Sequence, residues 1–161
     1  ISAIPAAQLL KDHGISLLVT DHHLPGEDLP VSVAIINPNQ IGDDFPCKNL
    51  AGVGVVFYLL CALRALMKKT DVDFKLLVPW VALGTVADCV PLDHTNRTLV
   101  YQGLRMIQRS SRDDGIRALC MCAGIDATRI TAEDIGFGLA PRLNAAGRLD
   151  DMSWGVACLL S

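Results

Sequence analysis

Two short apolar runs, "ISLLVT" over residues 15–20 and "PVSVAIINP" over 30–38, stand ahead of a long stretch whose apolar residues recur at helical spacing. Continuous apolar runs of strand length are the pattern of strands buried on both faces of a parallel sheet. Ahead of the first run, "AIPAAQLLKDH" reads as a helix with Pro5 in its opening turn, Ser2 as its cap and Gly14 as a left-handed stop. After residue 50 the spacing predicts helices near 51–69, 75–87, 96–110, 115–123 and 132–140, and one more starting at Ser153. Thr131 and Asp134 have the spacing of a capping box, with Asp in place of the preferred Glu or Gln. So few strands against so many helices is strand-poor for a doubly wound domain, and further strands of the sheet are expected upstream of Ile1.

The loop "DHHLPGEDL" lies at the carboxyl end of the first strand, where open α/β sheets bind ligands. Composition narrows what that loop can do. The chain has 161 residues, 51% hydrophobic and 19% charged, which suits a packed domain and not a disordered one. Its longest apolar stretch, "AGVGVVFYLLCALRALMKK", is interrupted by Arg64 and reads as a buried helix, not a membrane span. The six cysteines form no CxxC pair and no zinc spacing, and most lie in apolar stretches, as reduced thiols of a cytoplasmic protein do. A net charge of −3 argues against nonspecific adhesion to nucleic acid but leaves room for a locally basic site. The N-terminus lacks the features of a signal peptide, and both ends read as cuts within a longer protein.

Three stretches carry candidate chemistry. In "VTDHHLPG", Asp21, His22 and His23 stand side by side where a strand should end. Imidazoles with a carboxylate behind them suit Mn²⁺, Mg²⁺ or Zn²⁺, although adjacent histidines also occur for purely structural reasons. Alternation along an extended segment would send His22 and His23 in different directions. In "ALGTVADCVPL", Asp88 falls at the C-terminal end of an apolar helix closed by Pro91. A carboxylate at the negative helix end calls for a compensating cation, unless it is solvated or locally hydrogen-bonded. In "GFGLAPRLNAAGRLDD", Pro141 is expected to end a helix, leaving Arg142, Asn144 and Arg148 in a stretch rich in Gly and Ala. Guanidinium forks there suit phosphate oxygens; the structural alternative pairs them with Asp150 and Asp151. The "DVD" of Asp71–Asp73 reads as a solvated turn.

Together, "VTDHHLPG", "INPN", "LAGVGVVFYLL", "VALGTVADCVPL" with "NR" after it, and "PRLNAAGRLDD" resemble the DHH phosphoesterase superfamily over essentially the whole chain. "TDHH" alone marks only the superfamily; the last two motifs in this order resemble its single-strand-specific exonuclease branch. The resemblance implies an α/β fold: a partial parallel-sheet DHH domain over 1–161 with a predominantly helical C-terminal half. It implies that His22 and Asp88 are metal ligands, that His23 contacts metal or the scissile phosphate, and that Asp21 supports the histidines. His22, His23 and Asp88 are then expected to converge. Arg142, Asn144 and Arg148 would line a DNA phosphate path. The implied cofactors are two Mn²⁺ or Mg²⁺ ions. The implied partners are single-stranded DNA and a single-strand-binding protein, without a membrane. The family's earlier Asp-rich motifs are expected before Ile1 and its DNA-gripping domain after Ser161, so 1–161 alone is expected to be inactive.

Two other classes fit part of this pattern. A DHH-type pyrophosphatase or oligonucleotide phosphatase shares the "TDHH" motif but not the "PRLNAAGR" stretch. A noncatalytic nucleic-acid-binding module would want aromatic stacking groups, yet aromatics make up only 5% of the chain.

Overall fold

The apolar runs at 15–20 and 30–38 do pair, but over fewer residues than their lengths suggest. The computed structural model describes residues 1–69, 71–110, 115–149 and 151–160, with the side chains of 146–149 outside that description. Strand β1 (Leu18–Thr20) runs parallel to β2 (Ala34–Ile36), with Leu18 opposite Ala34 and Thr20 opposite Ile36. Burial on both faces is not what the structure shows: Leu18 is 55% exposed and Val33 74%. Two strands cannot cover both sheet faces, so apolar side chains chosen for a buried sheet remain open here.

The chain divides into two compact units, residues 1–74 and 75–161. In the first, helix α1 (Ile4–Asp12) carries Pro5 in its opening turn, where a missing N–H costs nothing. Ala3, not Ser2, occupies the N-cap, and no side chain caps the helix. Gly14 ends it as expected, at φ +69°, with its N–H on Lys11 O and that of Ile15 on Leu10 O. Those two bonds make a Schellman stop, which glycine enters without strain. Helix α2 (Gly52–Leu66) follows β2, and Leu50, Ala51 and Val55 are buried at its start.

The second unit is helical. Helix α3 (Val78–Ala87) continues a 3₁₀ turn at Phe74–Leu77, and α4 spans His94–Arg109. Asp93 caps α4 by accepting the Asn96 N–H at 3.0 Å, which starts that helix two residues earlier than its apolar spacing implies. Helix α5 spans Gly115–Ala123, α6 Ala140–Leu149 and α7 Ser153–Leu160. Ile116, Ile130, Ile135 and Leu139 are buried in one cluster with Leu83, Ile107 and Cys120. Each such side chain contributes on the order of 1.5–3 kcal/mol by leaving water.

Pro141 does not end a helix. The Thr131–Asp134 box forms reciprocally, Thr131 N–H donating to Asp134 at 2.8 Å and Asp134 N–H to Thr131 Oγ1 at 3.2 Å. The helix it starts widens into a π turn over Asp134–Leu139, and α6 then carries Pro141 in its first turn. Widening the turn is how a helix accommodates a residue that has no N–H and crowds the preceding turn.

Helices α3 and α4 cross at Gly103. A Cβ added there would sit 2.3 Å from Ala82 Cβ and 2.7 Å from the Val78 carbonyl oxygen. Backbone cannot retreat as a flexible side chain can. Gly103→Ala is therefore expected to lower stability by about 1–3 kcal/mol, outweighing its helix-propensity gain of roughly 1 kcal/mol. Urea unfolding of the variant checks this, and an unchanged or raised midpoint would contradict the close crossing.

Candidate metal centre

Asp21 extends the β1 ladder by one bond, its N–H donating to Ile36 O at 3.1 Å. The chain then curls. Asp21 Oδ1 accepts the backbone N–H of His22 at 2.7 Å, that of His23 at 3.1 Å, and a bond with His23 Nδ1 at 2.7 Å. A carboxylate that gathers the next two N–H groups in this way replaces the strand's own ladder. Its Oδ2 meets the main-chain nitrogen of Ile1.

This curl corrects the expectation that the two imidazoles diverge. Their ring centroids lie 4.3 Å apart with planes inclined at 51°. Alternation holds for extended backbone, and residues 22 and 23 have left it. One ligand atom from each of Asp21, His22 and His23 lies within 4.8 Å of the others, close enough for a single divalent ion. The Asp21 side chain is 13% exposed and the His23 side chain 72%. Burial pushes the Asp21 carboxyl up, but hydrogen bonds to the carboxylate, among them those of the His23 ring and the two loop N–H groups, outweigh it and lower its pKa. The group is thus a carboxylate at neutral pH. With His23 Nδ1 on the carboxylate, Nε2 is the ring nitrogen left for a metal or a phosphate.

The loop is held from behind by the two asparagines of "INPN", a motif quoted above without a role for either amide. Asn37 Nδ2 donates to His23 O at 2.8 Å, and Asn39 Nδ2 to His22 O at 2.7 Å. Asn39 N–H returns to Asn37 Oδ1 at 2.9 Å, linking the two amides across Pro38. Lys48 Nζ donates to the carbonyls of Pro38 and Asp43, both at 2.6 Å. The available signal was a pair of asparagines flanking a proline just past a strand. At the start of α2, Gly52 faces the imidazole: a Cβ there would lie 3.6 Å from His22 Cδ2.

The other candidates stand in the second unit. Asp88 is the exposed C-cap residue of α3, as its spacing implies. The helix is closed by Cys89 in a left-handed conformation, φ +56°, ahead of Pro91. Arg142 and Asn144 are exposed on α6 rather than in a loop, and Arg142 donates to Gly138 O at 2.6 Å. Helical spacing sets those two about 160° apart around α6. The Arg148 side chain and Asp150 lie outside the described residues; Asp151 accepts the Ser153 N–H at 2.9 Å. Asp71 and Asp73 are exposed, and Cys89 and Cys122 are exposed while Cys47 and Cys120 are buried.

The chain belongs to the DHH family, whose N-terminal-domain model matches residues 1–85. Among curated relatives it is similar to the single-stranded-DNA-specific exonuclease RecJ of Escherichia coli (strain K12), 50% identical over 169 residues. That match covers 99% of this chain and 29% of the relative. The RecJ of Bacillus subtilis (strain 168) is 40% identical over 161 residues, covering 100% of this chain and 20% of the relative. A crystal structure of exonuclease RecJ bound to manganese superposes with a TM-score of 0.81 at 34% identity, over 99% of this chain and 39% of that one. The RecJ of Thermus thermophilus in complex with Mg²⁺ gives 0.66 at 32% identity, over 92% of this chain and 21% of that one. The α/β architecture with its helical C-terminal half agrees with these likenesses. Among the described residues, no helix is long and apolar enough to cross a membrane.

Asn37 is 1% exposed, so truncating it strands the His23 carbonyl without its donor. Asn37→Ala is expected to cost about 1–3 kcal/mol of stability. Asn39→Ala, nearer the surface, should cost less. Equal and negligible losses in chemical denaturation would show that the loop holds itself.

Proposed function

We infer that the full-length protein containing this chain is a metal-dependent 5′-to-3′ exonuclease acting on single-stranded DNA in the cytoplasm, in DNA repair and recombination. The observation that carries this reading is the gathering of Asp21, His22 and His23 donor atoms within 4.8 Å of one another. The names of the relatives, which are exonucleases specific for single-stranded DNA, support the same substrate. So do the manganese and magnesium in the similar solved structures. The chain itself supplies part of the machinery.

In this reading His22 and Asp88 hold metal. Asp21 holds the His23 ring by Nδ1 and turns Nε2 outward, where it meets the scissile phosphate or a metal. A pair of Mn²⁺ or Mg²⁺ ions, when bound, supplies activation of water and stabilisation of the leaving oxygen. Arg142, Asn144 and Arg148 hold backbone phosphates, positioning the strand without reading its bases. Spaced about 120° apart on α6, Arg142 and Arg148 flank the strand rather than share a face. A single-strand-binding protein is a fitting partner, since it presents the substrate.

Assay of the full-length protein with Mn²⁺ tests the reading. Mononucleotides should be released from single-stranded DNA, and His22→Ala or His23→Ala should abolish release. Phosphate release from pyrophosphate without DNA degradation would point to a small-molecule phosphatase instead. Residues 1–161 alone should not degrade DNA. Robust nuclease activity of that chain, lost in His23→Ala, would mean that it carries a complete site.

Arg142→Ala in the full-length protein should weaken single-strand binding for all sequences alike and reduce the salt slope by about 1. Mn²⁺ affinity should stay unchanged. Lost folding stability with unchanged DNA affinity would make this arginine a structural group.

A further inference from the structure

The second unit contains a cavity of about 550 Å³ among α3, α4 and α5, and Arg142 is not among its lining residues. Its walls differ in character. Pro79, Trp80, Met106 and Ile107 form an apolar floor, and Arg105, Arg109 and Arg117 bring three guanidinium groups to the rim. No acidic residue lines it among the described residues. Helix α4 itself carries Arg97, Arg105 and Arg109 and no Asp or Glu over His94–Arg109, in a chain whose net charge is −3. Positive charge is therefore concentrated on this helix against the trend of the chain.

The rim is ordered by the protein's own contacts. Arg105 and Arg109 are four residues apart and share one face of α4. The Arg105 guanidinium stands 5.8 Å from the centroid of the Tyr101 ring, a cation–π distance. Arg117 reaches across from α5 and donates to the carbonyls of Ile107 at 3.3 Å and Ser110 at 3.0 Å, at the C-terminal end of α4. The Trp80 indole is fixed in turn, its N–H donating to Leu159 O at 3.3 Å.

We propose that this cavity binds one nucleotide unit of a single-stranded nucleic acid, its phosphate on Arg105 and Arg109 and its base against the Trp80–Met106 floor. Guanidinium forks match phosphate oxygens, and an apolar floor beside an indole accepts the flat face of any base. The cavity volume falls in the range of roughly 300–1,000 Å³ typical of ligand sites. Choosing a nucleotide over an acidic peptide rests on the nuclease reading, which supplies a polyanionic strand with apolar bases. The site would hold the strand at a point separate from Arg142, independent of sequence.

The test uses the full-length protein without divalent metal, so that DNA binds but is not cut. Binding of a fluorescent oligothymidylate is followed across a salt series for the wild type and for Arg105→Gln/Arg109→Gln. The double variant should bind at least about tenfold more weakly, with a salt slope smaller by about 2. Arg105→Lys/Arg109→Lys should recover most of the slope, because charge rather than fork geometry sets it. Trp80→Leu in the full-length protein should also weaken binding of the oligothymidylate, at an unchanged salt slope, because the base contact carries no charge. Unchanged affinity and slope in a folded double variant, beside a wild type that still degrades DNA, would overturn the site and leave the nuclease reading intact. An acidic peptide that binds the wild type and loses affinity in the double variant, while the oligothymidylate does not, would overturn it in favour of a peptide dock. A full-length wild type that neither binds nor cuts single-stranded DNA would remove both readings.

Discussion

One carboxylate oxygen, Asp21 Oδ1, decides where β1 stops and how the chain turns beyond it. By accepting two consecutive backbone N–H groups and the His23 ring, it satisfies donors that would otherwise seek a neighbouring strand. The turn it creates brings two imidazoles together that extended backbone would have separated. Burial disfavours the charge on this carboxylate, and the hydrogen bonds it accepts offset that cost. The asparagines then secure the carbonyl side of the turn, as the aspartate secures the N–H side. Donors and acceptors of the same two residues are thus fixed from opposite directions, and the His23 ring remains exposed.

The second unit reaches order by a different route, through close packing around small residues and a cluster of buried isoleucines and leucines. Gly103 lets α3 and α4 approach until backbone and Cβ nearly touch. That approach aligns α4 so that its arginines and Tyr101 face away from the core. The polar bond from Gln108 Nε2 to Ile130 O, 2.8 Å long, ties the same helix to the loop before the Thr131 box.

Much of this was legible from residue order. Gly14, the Thr131–Asp134 pair and the start of α7 at Ser153 each carry a local signal that depends on few neighbours, and the structure has all three. The two parallel strands were legible from their apolar runs, though not their short lengths, because ladder length depends on partners in space. Ser2 failed as a cap because the helix entered one residue later, with Pro5 in its first turn. Pro141 misled because its usual effect presumes an α-helix with no slack, whereas a π turn precedes it. The "TDHH" motif marked a candidate metal site, but not the convergence of the rings, since alternation applies only while the chain stays extended. Asn37 and Asn39 were invisible as partners because their targets are main-chain carbonyls, which every residue possesses.

The π turn at Asp134–Leu139 works as a phase buffer. A residue added to a regular α-helix turns everything beyond it by about 100°, whereas a residue taken up in a wide i→i+5 turn leaves the next helix nearly in phase. Ile135 and Leu139 stay buried within the wide turn, and α6 continues beyond it. Removing one residue here would restore regular winding, but it would also set Pro141 against a full i→i−4 ladder. The side that α6 turns to solvent is thus set by winding as well as by its own residues.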